Sequence, residues 1–299
     1  MSATHQRRGM AFAVLTACLF SGSDALIKQL VLTAPFLFVM WLRYVFQSGL
    51  LVAWIVARRS GTALRVGSWR LQALRCALLT ISSSSGYLAL RHVPLAEYTA
   101  LMMMAPVVSV LLGRLILKER VTPLQWACVA LGLAGMLAVV RPGLGTWSAH
   151  AWLPVFSACC YAGFQMTSRK VMVASDIVTS SLLSALFIVV AVGLALLVWP
   201  ENWGQMITGL HSHWWIQFVA MCLIATGGQV SLAAALQKSS LSVAAPFAYL
   251  QILFAALIGL LIFGHWPDAL ALAGTLLIVV AGVGSAWLNG RTPVLQPQK

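Results

Sequence analysis

The chain has 299 residues, of which 61% are hydrophobic and only 8% charged, and its mean hydropathy is +0.91. A soluble domain of this length needs far more charge to cover its surface, so the composition points to an integral membrane protein. The net charge of +13 would suit a nucleic-acid binder, but its distribution argues against one. One set of alternate loops holds Arg7, Arg8, Arg58, Arg59, Arg65, Arg70, Lys118, Arg120, Arg169, Lys170, Lys238, Arg291 and Lys299, whereas the other holds only Arg91 and Arg141. That asymmetry is the positive-inside pattern, which places both termini in the cytoplasm and makes the basic excess a topology signal.

In chain order, continuous apolar runs predict ten membrane-spanning helices over residues 9–31, 35–57, 69–90, 94–117, 123–140, 151–170, 178–199, 214–236, 241–263 and 267–288. Each approaches the ~20 residues that a helix needs to cross the hydrocarbon, and none alternates as a barrel strand would. The N-terminus imitates a signal peptide, with Arg7-Arg8 before an apolar stretch, but cleavage would leave nine spans, so an uncleaved first helix is expected. The spans divide as five plus five. A short cytoplasmic N-terminus (1–8) precedes a first repeat over 9–146, then a second over 147–290 and a cytoplasmic tail over 291–299. An odd number of spans per half inverts the second half, giving an all-α inverted repeat of the kind that secondary transporters use for alternating access. Residues 21–28 (SGSDALIK) lie over 162–169 (AGFQMTSR), aligning Gly22 with Gly163, Asp24 with Gln165 and Lys28 with Arg169.

The six cysteines all fall inside spans and read as small buried hydrophobes, and no metal or cofactor motif appears. Tryptophans near span ends, such as Trp69, Trp152, Trp214, Trp215 and Trp266, fit interfacial belts.

More specific elements follow: Asp24 and Lys28, Leu42-Arg43-Tyr44, Tyr87-Leu88-Ala89-Leu90, Ala105-Pro106, Lys118-Glu119-Arg120, Gly132 with Gly135, residues 244–250 (AAPFAYL) and 263–265 (FGH). With these the chain resembles the EamA family of the drug/metabolite transporter superfamily, two repeats covering nearly all of it. Asp24 to Lys28, residues 245–250 and Trp266-Pro267-Asp268 are most similar to the branch of S-adenosylmethionine and riboflavin carriers. His265 departs from the Gly-Glu that usually ends that segment, and Lys118 from the usual glycine. The resemblance implies a ten-helix carrier of a small metabolite.

An ionisable group near the bilayer centre costs on the order of 2.5–3.5 kcal/mol. Arg75 and Arg114 are expected to snorkel to the nearer surface. Asp24 lies seven residues from the outer end of its span and Arg43 eight, a depth of roughly 10–12 Å. They are expected to pair, with Lys28 and Glu97 as a second pair at the outer mouth. Gln165, Gln229, Tyr249 and Gln251 are further candidates, because polar groups within spans need partners and point inward. Trp41, Tyr87, Tyr98 and Tyr161 could stack on a flat ring. The serines at 82–85 read mainly as packing residues between helices.

These twelve residues form the expected substrate-binding or gating set, with no catalytic or metal-binding member. No P-loop is present, and the six acids are scattered, which argues against both ATP hydrolysis and a membrane-embedded enzyme. The expectation is a secondary carrier at the bacterial inner membrane, moving a small polar or heteroaromatic, cofactor-like metabolite. An exporter of amino acids or drugs is the alternative. The partners expected are the substrate and the lipid bilayer, with no nucleic acid and no obligate protein.

Overall fold

The computed structural model describes residues 3–57, 68–116, 122–140, 150, 152–172, 177–198, 211–238 and 249–291. Among these residues the regular elements are eleven helices and no strand. They are α1 (Ala3–Thr33), α2 (Phe36–Ala57), α3 (Trp69–His92), α4 (Leu95–Met102), α5 (Ala105–Ile116), α6 (Pro123–Val140), α7 (Trp152–Met172), α8 (Ile177–Val198), α9 (Ser212–Lys238), α10 (Leu250–Phe263) and α11 (Ala269–Arg291).

The expected spans coincide with helices, and the fourth differs most. Residues 94–117 form two helices, parted at Met103 and Met104. The Met103 N–H still reaches Thr99 O at 3.0 Å, but the Met104 N–H turns to Leu101 O at 3.1 Å. Pro106 has no N–H to offer the turn before it, which kinks or breaks a helix at this point. In the ninth span α10 begins at Leu250, and residues 241–248 lie outside the described residues. So do Lys118, Glu119, Arg120, Arg58, Arg59, Arg65, Arg141, Lys299, Trp147, Trp199 and Trp203.

Other boundaries follow from local chemistry. At the start of α6, Gln125 Oε1 accepts from the Thr122 N–H at 2.8 Å while Thr122 Oγ1 accepts from the Gln125 N–H at 3.3 Å. This is a reciprocal capping box with Pro123 at the first helical position. Gly264 ends α10 in the left-handed region at φ 63°, where a side chain would be strained. Asp268 Oδ1 then caps α11 by accepting from the Ala271 N–H at 2.9 Å.

Among the described residues Ala11–Thr33, Phe36–Ala57 and Val178–Val198 are long and apolar enough to cross a membrane, and Pro123–Val139, Leu250–Phe263 and Ala269–Gly284 are shorter apolar helices. Several of the remaining helices fall below that standard for visible reasons. α3 carries Gln72, Arg75 and four serines, α7 carries Gln165, Arg169 and Lys170, and the fourth span is broken. Large apolar side chains cover the outside, Val190, Leu194, Leu197 and Val198 on α8 and Leu253, Leu257 and Leu261 on α10 among them. Such surfaces are tolerable only against lipid or another protein.

The helices form two compact units. The first comprises Met1–Gly22, Pro94–Ser148 and Gly227–Lys299, and the second Ser23–Val93 and Ala149–Thr226. Each therefore draws on both halves of the sequence, and the boundary falls within α1 and within α9. In the first unit α6 packs on α11 and α4 on α10; in the second α2 packs on α8 and α3 on α7. Counted as spans, the second thus meets the seventh, the fourth the ninth and the fifth the tenth. These three pairs join positions five spans apart, whereas α3 and α7 join the third span to the sixth.

A candidate site around Arg43 and a buried acid at Glu97

In the second unit, the polar side chains of α2 and α3 meet. Arg43 is half-buried, and its Nη1 donates to the Tyr87 hydroxyl at 3.0 Å. Its guanidinium lies 5.6 Å from the centre of the Tyr44 ring. The Tyr44 hydroxyl is 2.8 Å from Ser83 Oγ, and both phenols are buried. On α7, Tyr161 stacks on Phe164 with ring centres 5.7 Å apart, and it shares a side-chain hydrogen bond with Gln165 one turn on. A guanidinium held by a phenol keeps its full charge, because a phenol contributes a dipole and no compensating anion. This cluster can therefore receive an anionic or carboxylate group, and its rings can receive a flat one.

The other expected residues take distinct places. Asp24 is half-buried on α1. Lys28, one turn on, is buried and donates from Nζ to Leu90 O at 2.9 Å and Val93 O at 2.6 Å. It thereby satisfies carbonyls at the end of α3, where a cation also suits the helix dipole. Trp41 donates its indole N–H to Val189 O at 3.1 Å. Gly193 lies beneath that ring, since a Cβ there would sit 3.1 Å from Nε1. Trp41 thus fastens α2 to α8 in this state.

In the first unit, Glu97 is buried in the first turn of α4, and its Oε1 is 2.9 Å from His265 Nε2. Its Oε2 has no hydrogen-bond partner among the described residues, and neither has the Tyr249 hydroxyl. The Tyr249 ring packs with Ala100 and Ile252, and its hydroxyl fills the notch left by Gly282, where a Cβ would overlap it. Tyr98 is buried. Gln251 is half-buried, and its carbonyl accepts from Ser21 Oγ at 2.7 Å. Gln229, expected to point inward, is exposed, whereas its neighbour Gly228 is buried against Phe20.

The clearest correction concerns Arg75, which does not reach out to a surface. It is 3% exposed, donating from Nε to Ser168 Oγ at 2.7 Å and from Nη1 to Ser180 O at 2.8 Å and Ser184 Oγ at 2.6 Å. Its guanidinium also lies 4.8 Å from the Phe164 ring centre. Three serines on α7 and α8 supply neutral acceptors inside the unit, so the side chain has no need of the surface. Arg114, by contrast, is exposed. Of the serines at 82–85, Ser82, Ser84 and Ser85 bond into packing and Ser83 joins the Arg43 cluster. Tyr44, Ser83, Phe164 and His265 were not in the expected set. Tyr44 was findable as the neighbour of Arg43, but the others are set by contacts between distant segments.

The EamA-like transporter family matches the chain twice, over residues 7–141 and 148–286. A pseudopaline exporter of Pseudomonas aeruginosa is 27% identical over 276 residues, covering 92% of this chain and 94% of its own length. An S-adenosylmethionine uptake transporter of Rickettsia felis is 21% identical over 277 residues, with 91% and 90% covered. A riboflavin transporter of Brucella anthropi is 32% identical over 112 residues, or 37% of this chain and 39% of its own length. One crystal structure shares the fold with a TM-score of 0.63 at 18% identity, covering 98% of this chain and 100% of that chain. With two matched segments that together take in nearly all of its residues, the chain belongs to the EamA-like transporter family and is a membrane transporter.

Proposed function

We propose that the protein is a secondary carrier of the bacterial inner membrane, moving a small polar or heteroaromatic metabolite by alternating access. Its ten spans form an inverted five-plus-five repeat with both termini in the cytoplasm. The thirteen-to-two split of basic loop residues supports that orientation. The packing of spans five apart supports the repeat, since a two-fold relation between halves brings equivalent helices together.

The observation that carries the substrate class is Arg43, a cation inside a span whose described partners are phenols. It would hold an anionic group while Tyr87, Tyr44 and Tyr161 contact a ring. Asp24, Lys28, Trp41, Glu97, Tyr98, Gln165, Tyr249 and Gln251 complete the proposed binding and gating set.

Counterflow in proteoliposomes tests this reading, using a pool of riboflavin, S-adenosylmethionine, nucleosides and amino acids read by mass spectrometry. The expected result is selective exchange of a heteroaromatic compound, reduced at least about tenfold by Arg43→Ala, the equivalent of ~1.4 kcal/mol. Selective exchange of amino acids favours the exporter reading, which the near full-length similarity to a pseudopaline exporter supports. Folded protein that exchanges none of the pool, or an Arg43→Ala variant of undiminished rate, overturns the proposed site.

A further inference from the structure

The Arg43 cluster contains no described side chain suited to carrying a proton near neutrality, because guanidinium and phenol both titrate far above it. The first unit contains one. Glu97 is 3% exposed, whereas His265, bonded to it at 2.9 Å, is 44% exposed. A buried carboxylate therefore touches the outside through a single imidazole, the side chain whose ordinary titration spans about pH 5 to 8. The second carboxylate oxygen has no hydrogen-bond partner among the described residues. An ionised carboxylate in that condition is costly, because a buried charged acceptor without a donor loses its solvation outright. A proton cancels that charge.

We propose that Glu97 and His265 form a proton-binding site that couples transport to the proton gradient, with His265 as the entry and Glu97 as the acceptor. This rests on the carrier reading above. In the empty form, neutral His265 donates its Nε2–H to Glu97 Oε1. A solvent proton binds Nδ1, and the Nε2 proton then moves across the bond to Oε1. The imidazole is left neutral, with its proton on Nδ1, and the carboxyl is neutral. One N–H bond is broken, one N–H and one O–H bond are formed, and one proton has left the solvent. The new O–H can donate back to Nε2, so the pair loads without letting go.

Among the described residues, the helices packed on α4 bring no cation to this pair. α4 packs on α6, α10 and α11. The titratable side chains those elements bring are Cys128 on α6 and Tyr249 at the start of α10, while α11 has none before Arg291. Tyr98 follows Glu97 on α4 itself, and Asp268, in the loop that carries His265, caps α11. None of these is a cation that would hold Glu97 ionised. His265 is itself fixed by the turn, since its N–H bonds Gly259 O at 3.2 Å after the left-handed Gly264. Burial of Glu97 and its charge state are then linked. A state with the carboxyl enclosed, as seen here, goes with the proton bound, and a state that wets it goes with release.

The test has two arms, both on the full-length protein. Infrared difference spectroscopy from pH 8 to 5 follows carboxyl protonation with no substrate present. A band that grows as pH falls, vanishes in Glu97→Gln and shifts its midpoint in His265→Gln is expected. No such band in the wild type, or one that survives Glu97→Gln in folded protein, overturns the site. The second arm compares accumulation driven by an imposed pH gradient with exchange at equal pH, using whichever compound of the counterflow pool exchanges. The ratio of the two should fall at least tenfold in Glu97→Gln, and an unchanged ratio overturns the coupling. Wild-type protein that exchanges nothing but shows the band removes the carrier reading and keeps the proton site.

Discussion

In the unit built on α2, α3, α7 and α8, helices meet through side-chain hydrogen bonds. Arg75 alone joins α3 to α7 and α8. Gln72 adds a bond from Nε2 to Ser180 O at 3.1 Å, and Ser82 and Ser157 each donate to the other's carbonyl at 2.9 and 2.7 Å. In the unit built on α4, α5, α6, α10 and α11, helices α6 and α11 meet at glycines. A Cβ on Gly135 would lie 2.6 Å from Gly274 O, and one on Gly274 would lie 2.7 Å from Gly135 O. The backbones of α6 and α11 touch there. Without a hydrophobic force between helices in lipid, association rests on close packing or on polar bonds, and the two units lean on different members of that pair. Bonds can be exchanged for others as helices shift, whereas backbone contact is either made or lost.

The largest effect should come from the glycine contact. Gly135→Ala places a methyl against a carbonyl that cannot rotate away, and against Ile278 at 2.9 Å. Overpacking of this kind costs about 1–3 kcal/mol, so thermal unfolding of the purified variant in detergent should begin well below the wild type. Gly49→Ala is the control, because a Cβ there meets nothing within 4 Å. That change should instead add up to about 1 kcal/mol from helix propensity. Equal stabilities for the two variants would mean that α6 and α11 do not meet as seen.

Next in size is Arg75. Its three bonds, at about 0.6 kcal/mol each and at most about 1.7 for polar contacts between membrane helices, suggest a loss on the order of 2 kcal/mol in Arg75→Ala. Arg75→Met restores much of the volume without the bonds and should recover only part of that. A Met variant as stable as the wild type would show that shape alone holds this unit, and the contrast between the units would disappear.

Much of the fold was legible because lipid imposes length and polarity on each helix separately, and a run such as 36–57 carries that information alone. The break in the fourth span was visible too, in Pro106, but the strength of the flanking apolar run concealed it. What one segment cannot show is who its neighbours are. Arg75 lies close enough to a span end to suggest a surface, and only the arrival of Ser168, Ser180 and Ser184 from about a hundred residues away keeps it inside. Lys28 stands out in the sequence, yet two of its partners are backbone carbonyls, which every residue has and which no sequence pattern marks. Glu97 was legible as an acid in the wrong solvent, but His265 registered only as a departure from the family pattern.

The smallest effect tests whether the hydrogen-bonded unit is wired bond by bond. Ser82 and Ser157 donate to different carbonyls, and their hydroxyl oxygens are also 3.2 Å apart. Each carbonyl also belongs to a helix, so losing the serine donor does not strand it. Ser82→Ala and Ser157→Ala should therefore each cost near the average of about 0.6 kcal/mol for such bonds. The double variant should cost slightly less than the two together, because each single change already removes the shared contact between hydroxyls. Unfolding of the four proteins under one set of detergent conditions gives the cycle. If either alanine stabilises the protein, the α3–α7 seam is governed by close packing of small residues, as in the glycine-packed unit, and the polar bonds across it follow from that packing.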